Sequence, residues 1–334
     1  MTEYDEFPDF ELPGYTGSST FQKLPQVLDE KALATMGAEV AVLGAPFDEG
    51  TSNRPGARFG PKAIRAAFYV TGDLWSIQSQ TEVFNRIRCV DAGDAPVVPS
   101  RPERAMRVIR EKVRRVAGSG AIPIVLGGDH SISYPSIAAV SEVRSPRKVG
   151  VVHFDAHADT AADIWGAPAS HGTPMRRLIT EGWVSGRNFV QVGLRGYWPE
   201  KATFEWMRQQ GMRWHPMTEI EERGPEAVIQ DAISEALDGP DLIYLSVDID
   251  VLDPSVAPGT GTPEPGGLQA RELLRAIRQI VRRVELAGMD VVEVSPPYDH
   301  AEITAAVAHR CVLEAISSLA AKKTGPAASV GYPP

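Results

Sequence analysis

Two apolar runs in this chain end abruptly in acid and imidazole. Val151-Val152-His153-Phe154 runs into Asp155-Ala156-His157-Ala158-Asp159, and Leu242-Ile243-Tyr244-Leu245-Ser246-Val247 runs into Asp248-Ile249-Asp250. A run that is apolar at nearly every position, rather than at alternate ones, reads as a strand buried on both faces. Such strands belong to parallel sheets covered by helices on either side. Parallel neighbours cannot be joined by a hairpin, so a chain of this kind has to alternate strand and helix.

The remaining pattern agrees. Val40-Ala41-Val42-Leu43-Gly44 predicts a strand, followed by a Gly-rich loop from Gly50 to Gly60 and a short helix with Pro61 in its first turn. Ala105, Ile109, Val113 and Val116 share one helical face, and Gly118 and Gly120 stop that helix. Ile122 to Leu126 predicts a strand in spite of Pro123. Further strands are expected at the run ending in Asp155, at Phe189 to Val192, at the run ending in Asp248, and at Val291-Val292-Glu293-Val294. Helices are expected from about Pro225 to Leu237, through Leu273, Leu274, Ile277, Ile280, Val281 and Val284, and from about Thr304 to Ala320. The expected architecture is α/β: one three-layer α/β/α sandwich, residues 38–322, around a mostly parallel sheet with right-handed crossovers. Residues 1–37 contain several Gly, Pro and Ser and little periodicity; they are expected to form an arm packing against a neighbouring subunit, and 323–334 a loose tail.

The formal net charge of -9 over 334 residues argues against a nucleic-acid partner held on a basic face. Cys89 and Cys311 are the only cysteines, which gives no disulfide framework and points to a reducing compartment. The first thirteen residues are acidic without an apolar core, so no signal peptide is read there, and no apolar run approaches membrane-spanning length. A cytoplasmic protein with no membrane partner is expected.

Four strand ends carry chemistry-bearing residues: Gly127-Gly128-Asp129-His130-Ser131, the Asp155 to Asp159 segment, Asp248-Ile249-Asp250-Val251-Leu252-Asp253-Pro254, and Glu293 before Ser295-Pro296-Pro297. Ligands of open α/β sheets bind beyond the carboxyl ends of the strands, so all four point to one crevice. Side chains two apart in an extended chain share a side, which lets Asp155, His157 and Asp159 reach one centre, as also Asp248 and Asp250. Four carboxylates together would raise one another's pKa values, and two divalent cations cancel their charge. Oxygen ligands with a minority of imidazoles suit manganese, with nickel or another divalent metal as alternatives.

These motifs, together with Gly259-Thr260-Gly261-Thr262-Pro263-Glu264-Pro265-Gly266-Gly267, resemble the ureohydrolases, and their agmatinase branch more than the arginases. The resemblance runs from about Ala38 to Ala320. It implies an α/β/α sandwich, two Mn(2+) ions, and hydrolysis of a guanidino group to urea and an amine. By motif it makes His130, Asp155, Asp159 and Asp248 ligands of one ion and Asp155, His157, Asp248 and Asp250 ligands of the other. It gives Asp250 a part in holding the attacking water's proton. His171, within Ser170-His171-Gly172-Thr173-Pro174, matches the family's active-site histidine, a proton shuttle or substrate contact. It also implies a trimer or hexamer.

Glu293 is the candidate to grip the guanidinium. A buried carboxylate needs a partner and a planar cation offers two prongs; an internal arginine is the alternative. The substrate tail is less constrained. Where arginases carry an asparagine, two residues after the last Asp of Asp-x-His-x-Asp, this chain has Ala161, which disfavours free arginine. Asp163 is a candidate for the terminal amine of agmatine and Trp165 for narrowing the pocket or covering a short apolar chain, with Asn53 and Arg54 as further tail contacts. Arg176 and Arg177 could meet the carboxylate of guanidinobutyrate or guanidinopropionate. The leading expectation is therefore an agmatinase-like amidinohydrolase acting on a small cationic guanidino substrate, with guanidinobutyrase or guanidinopropionase as alternatives. Two readings from other classes stand beside it: a catalytically silent partner subunit, and a deacetylase on a similar frame.

Overall fold

A computed structural model describes residues 14–17 and 19–323 of the chain. In sequence order the elements are α1 (Glu30–Met36), β1 (Val40–Ala45), α2 (Gly60–Ala66), β2 (Trp75–Ser76), β3 (Thr81–Glu82), β4 (Cys89–Asp94), α3 (Pro102–Gly118), β5 (Ile122–Gly127), α4 (Ser133–Arg144), β6 (Val149–Phe154), α5 (Pro174–Thr180), β7 (Phe189–Val192), α6 (Lys201–Gln209), β8 (Arg213–His215), α7 (Met217–Arg223), α8 (Pro225–Ala236), β9 (Leu242–Asp248), α9 (Ala270–Arg283), β10 (Leu286–Val292) and α10 (Ile303–Lys322). Eight strands form one sheet in the order β4-β1-β5-β10-β9-β6-β7-β8. All seven ladders in it are parallel, while β2 and β3 make a separate antiparallel pair.

Alternation along the buried strands divides the core in two. Val40, Val42, Ile124, Leu126, Val152, Phe154, Ile243, Leu245 and Val247 point to the side covered by α2, α7, α8, α9 and α10. Ala41, Leu43, Val125, Val149, Val151, Leu242 and Tyr244 point to the side of α3, α4, α5 and α6. This is the three-layer sandwich expected from the uninterrupted apolar runs. α10 is long and apolar enough to cross a membrane by length and composition, but 72% of that stretch is buried inside the protein. It is a core helix packed on α9.

The sheet order places the chemistry. The motifs follow β5, β6, β9 and β10, and these are the four adjacent central strands, β5-β10-β9-β6. Phe154 pairs with Val247, so Asp155 and Asp248 leave the sheet side by side. Val291 pairs with Leu126, and two residues further Glu293 N–H donates to Gly128 O at 2.8 Å. Gly128 has to be glycine: a Cβ there would stand 1.9 Å from Phe47 O.

Several elements differ from the sequence reading. β10 begins at Leu286 and ends at Val292, so Glu293 is no strand residue; it sits in a left-handed turn at φ 63°. β4 and β8 were not anticipated: β4 carries Asp91 and Asp94, paired with buried Arg65, within a short run, and β8 has three residues. Pro123 is tolerated in β5 because pairing with β10 starts only at Ile124. The N-terminal arm divides. Its residues 1–13 lie outside the described residues, whereas Phe21 is fully buried on its own chain, where its N–H donates to Asp91 and its ring stacks on His309. Residues 324–334 of the expected tail also lie outside the described residues.

Candidate metal centre

Past the sheet edge the backbone bends rather than running on extended. Asp248 caps a single 3-10 turn over Ile249–Val251, its Oδ1 accepting from Asp250 N at 2.9 Å. Asp129 does the same for His130–Ile132. After β6 the chain turns at Asp159, which sits at φ 50°. The convergence anticipated from alternate extended residues is thus achieved by turns, and neighbours in the motif separate. Ligand-type atoms of His130, Asp155, Asp159 and Asp248 lie within 4.8 Å of one another, and those of Asp155, His157 and Asp250 form a second such set. Asp155 belongs to both.

His130 gives the strongest indication of what the cluster is for. Its Nε2 lies 3.1 Å from Ser246 Oγ, and that hydroxyl donates to Asp290 Oδ1 at 2.7 Å. Ser246 must therefore accept from Nε2–H, which leaves the Nδ1 lone pair facing inward. Nδ1 has no hydrogen-bond partner, yet it stands 3.1, 3.0 and 3.0 Å from oxygens of Asp155, Asp159 and Asp248. Four lone-pair-bearing atoms meeting this closely repel unless a proton or a cation sits among them. A small divalent cation bound at about 2.1 Å places ligands at right angles about 3 Å apart, so the spacing fits one. Burial resists ionisation of the ring, but the three carboxylates raise His130 well above the usual imidazole range.

The second set carries the same tension. His157 Nδ1 lies 3.4 Å from Asp155 Oδ1 and 3.1 Å from Asp250 Oδ2. Burial opposes its charge, and Asp250 and Asp155 raise its pKa well above the usual value. Burial, then Asp250 and Asp155, pushes Asp248 well up; burial also raises Asp250, with His157 pulling against it. Asp155 is held well below the carboxylate range, because His130, His153 and His157 outweigh its burial. His153 is engaged on both sides: Nε2 meets Asp155 Oδ2 at 2.9 Å and Nδ1 meets the Gln191 amide at 3.0 Å. It is the hydrogen-bonded core histidine that its depth in β6 implies. His215 and His309 are likewise engaged away from the cluster.

Beside the cluster lies a second layer. His171 Nδ1 meets Glu293 Oε1 at 2.9 Å, and its Nε2 faces Ser52, with Oγ at 2.7 Å and the backbone N–H at 3.1 Å. A neutral ring accepts the Ser52 N–H; a protonated ring donates to Ser52 Oγ. Burial lowers its pKa and Glu293 raises it, to a net value of about 9. Glu293 meets no arginine. Its Oε1 also accepts His130 N–H at 2.8 Å, while Oε2 is buried with no protein partner. Asp129 holds the Gly-rich loop, accepting Gly50 N–H at 2.7 Å; burial, then Glu293, raises it to about 7.

A cavity of about 360 Å³ opens over the cluster, lined by Ser52, His157, Asp159, Ile164, Trp165, His171, Gly172, Trp198, Asp248 and Thr262. Two expected tail contacts are not in its lining. Asp163 is exposed and its Oδ1 caps Gly166 N–H at 2.7 Å, and Asn53 donates to Gly261 O at 2.9 Å, tying two loops. Arg176 stacks 4.1 Å from the Trp206 ring centroid and Arg177 3.7 Å from that of Tyr134, so neither faces the cavity. Trp165 does line it. Ile164 and Ala167 exchange backbone bonds of 3.1 and 2.9 Å around Trp165 and Gly166, both at positive φ, 52° and 81°. Two such residues define a type I′ turn, which favours Asn-Gly; the indole pays about 1–2 kcal/mol for that conformation. Asp290, Ser246, Ser52 and Trp198 were missed in the sequence because no motif marks residues that act through another side chain or arrive from a distant loop.

A parallel sheet with a buried carboxylate–imidazole cluster at the carboxyl edge of its central strands defines an α/β protein of the metal-centre type. The arginase family model matches residues 38–317, and the chain belongs to the arginase family. It is 40% identical over 316 residues to a guanidinopropionase of Pseudomonas aeruginosa, covering 93% of this chain and 94% of that one. It is 39% identical over 290 residues to the mitochondrial agmatinase of Gallus gallus, covering 86% and 83%. The solved proclavaminate amidino hydrolase of Streptomyces clavuligerus superposes with a TM-score of 0.84 at 37% identity, over 93% of this chain and 100% of that one. Differently specific relatives stand at nearly equal distance, so similarity does not choose among substrates.

Proposed function

We propose that the chain is a metal-dependent amidinohydrolase, converting a small guanidino compound to urea and an amine. The observation that carries this reading is the place of His130 Nδ1 among oxygens of three carboxylates, two of which, Asp159 and Asp248, line the cavity. In this reading His130, Asp155, Asp159 and Asp248 would hold one divalent ion and Asp155, His157 and Asp250 the other, with Asp248, which falls in the first set alone, proposed as a further ligand of the second. The oxygen-rich donor set favours manganese, with nickel as the alternative. When bound, such a pair of ions lowers the pKa of water and so supplies a nucleophile near neutral pH.

The chain's own residues do the rest. Glu293 Oε2, buried and without a donor, accepts a guanidinium N–H, since a planar cation is the partner a desolvated carboxylate oxygen prefers. Asp250, whose Oδ2 lies 3.2 Å from Thr262 Oγ1 and 3.1 Å from His157, takes a proton released at the attacking oxygen. His171, protonated near neutral pH and lining the cavity, delivers a proton to the departing amine, its Nε2 moving between the two Ser52 partners as its charge changes. The silent-subunit reading is disfavoured because no position of the cluster is replaced by an inert residue. We place the enzyme in the cytoplasm as a homo-oligomer. The exposed Tyr69, Trp75 and Ile77 beside an apolar groove of about 470 Å³ support self-association, which sedimentation velocity tests.

The test is urea release from a panel of guanidines by protein loaded with manganese or nickel, alongside elemental analysis. Two ions per chain and urea from at least one guanidine are expected. Fully loaded protein that cleaves acetylated amines and no guanidine would overturn the reading.

A further inference from the structure

Resting on the amidinohydrolase reading, we propose that the preferred guanidine carries an uncharged, apolar substituent, seated between Trp165 and Trp198. Four charged or ionisable side chains line the cavity: Asp159, Asp248, His157 and His171, all of the floor. Its wall is Ile164, Trp165, Gly172 and Trp198, with Ser52 and Thr262 as the neutral polar groups. Four charged side chains of the neighbouring segments are engaged elsewhere. Asp163 caps its own turn, Arg176 lies on Trp206 and donates to Thr160 O, and Arg54 stacks on Tyr298. Arg195 donates to the carbonyls of Gly193, Asp250 and Glu264. A terminal ammonium or carboxylate entering here leaves water without gaining an opposite charge. An alkyl chain gains burial against two indoles.

Trp165 adds a positive argument. It is 87% exposed and occupies a turn position at φ 52° that asparagine fills more readily. Its indole makes the turn worse and is not packed into the core, so neither folding nor stability accounts for it. Unlike the exposed Tyr69, Trp75 and Ile77, this strained aromatic lines the cavity over the cluster, where it can meet what binds there.

The full chain, loaded with manganese(II) or with nickel(II), is given n-butylguanidine, agmatine and 4-guanidinobutyrate, and kcat and KM for urea release are measured for each in the more active metal form. The kcat/KM of n-butylguanidine is expected to exceed both others by about tenfold or more, mainly through KM. Trp165→Asn, which supplies the residue the turn favours, is expected to fold with an unlowered thermal midpoint and to lose that advantage through a rise in KM. Trp165→Phe is expected to retain most of it. A charged substrate that equals or exceeds n-butylguanidine overturns the inference while leaving the amidinohydrolase reading intact. So does a Trp165→Asn protein that keeps the preference. Urea from another guanidine but from none of these three overturns the inference alone; urea from no guanidine in either metal form overturns both.

Discussion

The floor and the rim of the cavity are built on opposite principles. The floor, formed by Asp159, Asp248, His157 and His171, rests on side chains deep in the sheet edge: His130 and Asp155 are fully buried, Asp248 and Asp250 nearly so, and each is tied by a further bond to backbone or to another side chain. The rim is a surface turn from Ile164 to Ala167, with an exposed indole and one local cap. Buried, mutually anchored groups hold the sub-ångström geometry that a charge cluster demands; a surface turn can change its side chain without disturbing the sheet. In the proposed reading the reaction is lodged in the floor and selectivity in the rim. Relatives of nearly equal similarity can then differ in the guanidine their names record.

Removing the group shared by both ligand sets should separate the two regions most sharply. Asp155→Ala is expected to lose both ions and to bring urea release to background, checked by elemental analysis and a urea assay. Retention of two ions in that variant would break the division, as would a Trp165 substitution that changes metal stoichiometry.

Glu293→Gln comes next. Metal content should stay at the wild-type level while kcat/KM falls about ten- to a hundredfold, the worth of a charge-assisted hydrogen bond. The variant also carries a pH signature. Glu293 raises His171 to about 9 in the folded protein, against about 6.5 for an unperturbed ring. A folded pKa above the unfolded one contributes stability that is fully present below about pH 6.5 and fades as pH rises through about 9. Denaturation of the metal-free protein should therefore show a larger gap between wild type and Glu293→Gln at pH 6 than at pH 9.5. The alkaline limb of the kcat profile should move to lower pH. An unmoved limb would detach His171 from proton delivery.

A smaller effect belongs to the layer behind the floor. Asp290 is buried beneath Ser246 and Tyr244, at 2.7 and 3.0 Å, and through Ser246 it fixes which nitrogen of His130 faces the cluster. Asp290→Asn can donate to Ser246 and so release that constraint. Metal affinity is expected to fall about 10- to 100-fold, read by competition with a chelator. Unchanged affinity would confine Asp290 to packing.

How much of this could be read in the sequence follows the same division. Asp155, His157, Asp159, Asp248 and Asp250 announce themselves because acid after a fully apolar run has few structural explanations, and the run itself dictates a parallel sheet. Alternation alone misleads about their grouping: it puts His157 and Asp159 together, whereas the family resemblance separates them and a turn at Asp159 sends them to different sets. Glu293 was legible as a buried carboxylate but not in its setting, since the residue that leaves β10 at positive φ looks like one more strand position. Asp163 and Asn53 were offered as tail contacts because charge and amide near a site attract attention. The structure gives them the commoner work of such residues, a turn cap and a loop tie. β4 and α1 were hidden because short elements at the sheet edge lack the length over which periodicity shows.

The smallest effect is in some ways the most discriminating. If Trp165 is held in the left-handed region for the sake of the cavity, replacing it with asparagine should stabilise the protein, by about 1 kcal/mol. In a chain of this size that is a rise of one or two degrees in thermal midpoint, roughly. The sign matters more than the size. Deleting a large aromatic side chain from a packed position lowers stability by several kcal/mol, so a raised midpoint in Trp165→Asn together with a higher KM identifies a rim residue that function retains against folding. A lowered midpoint would mean that the indole supports the loop, and the rim would then be part of the scaffold after all.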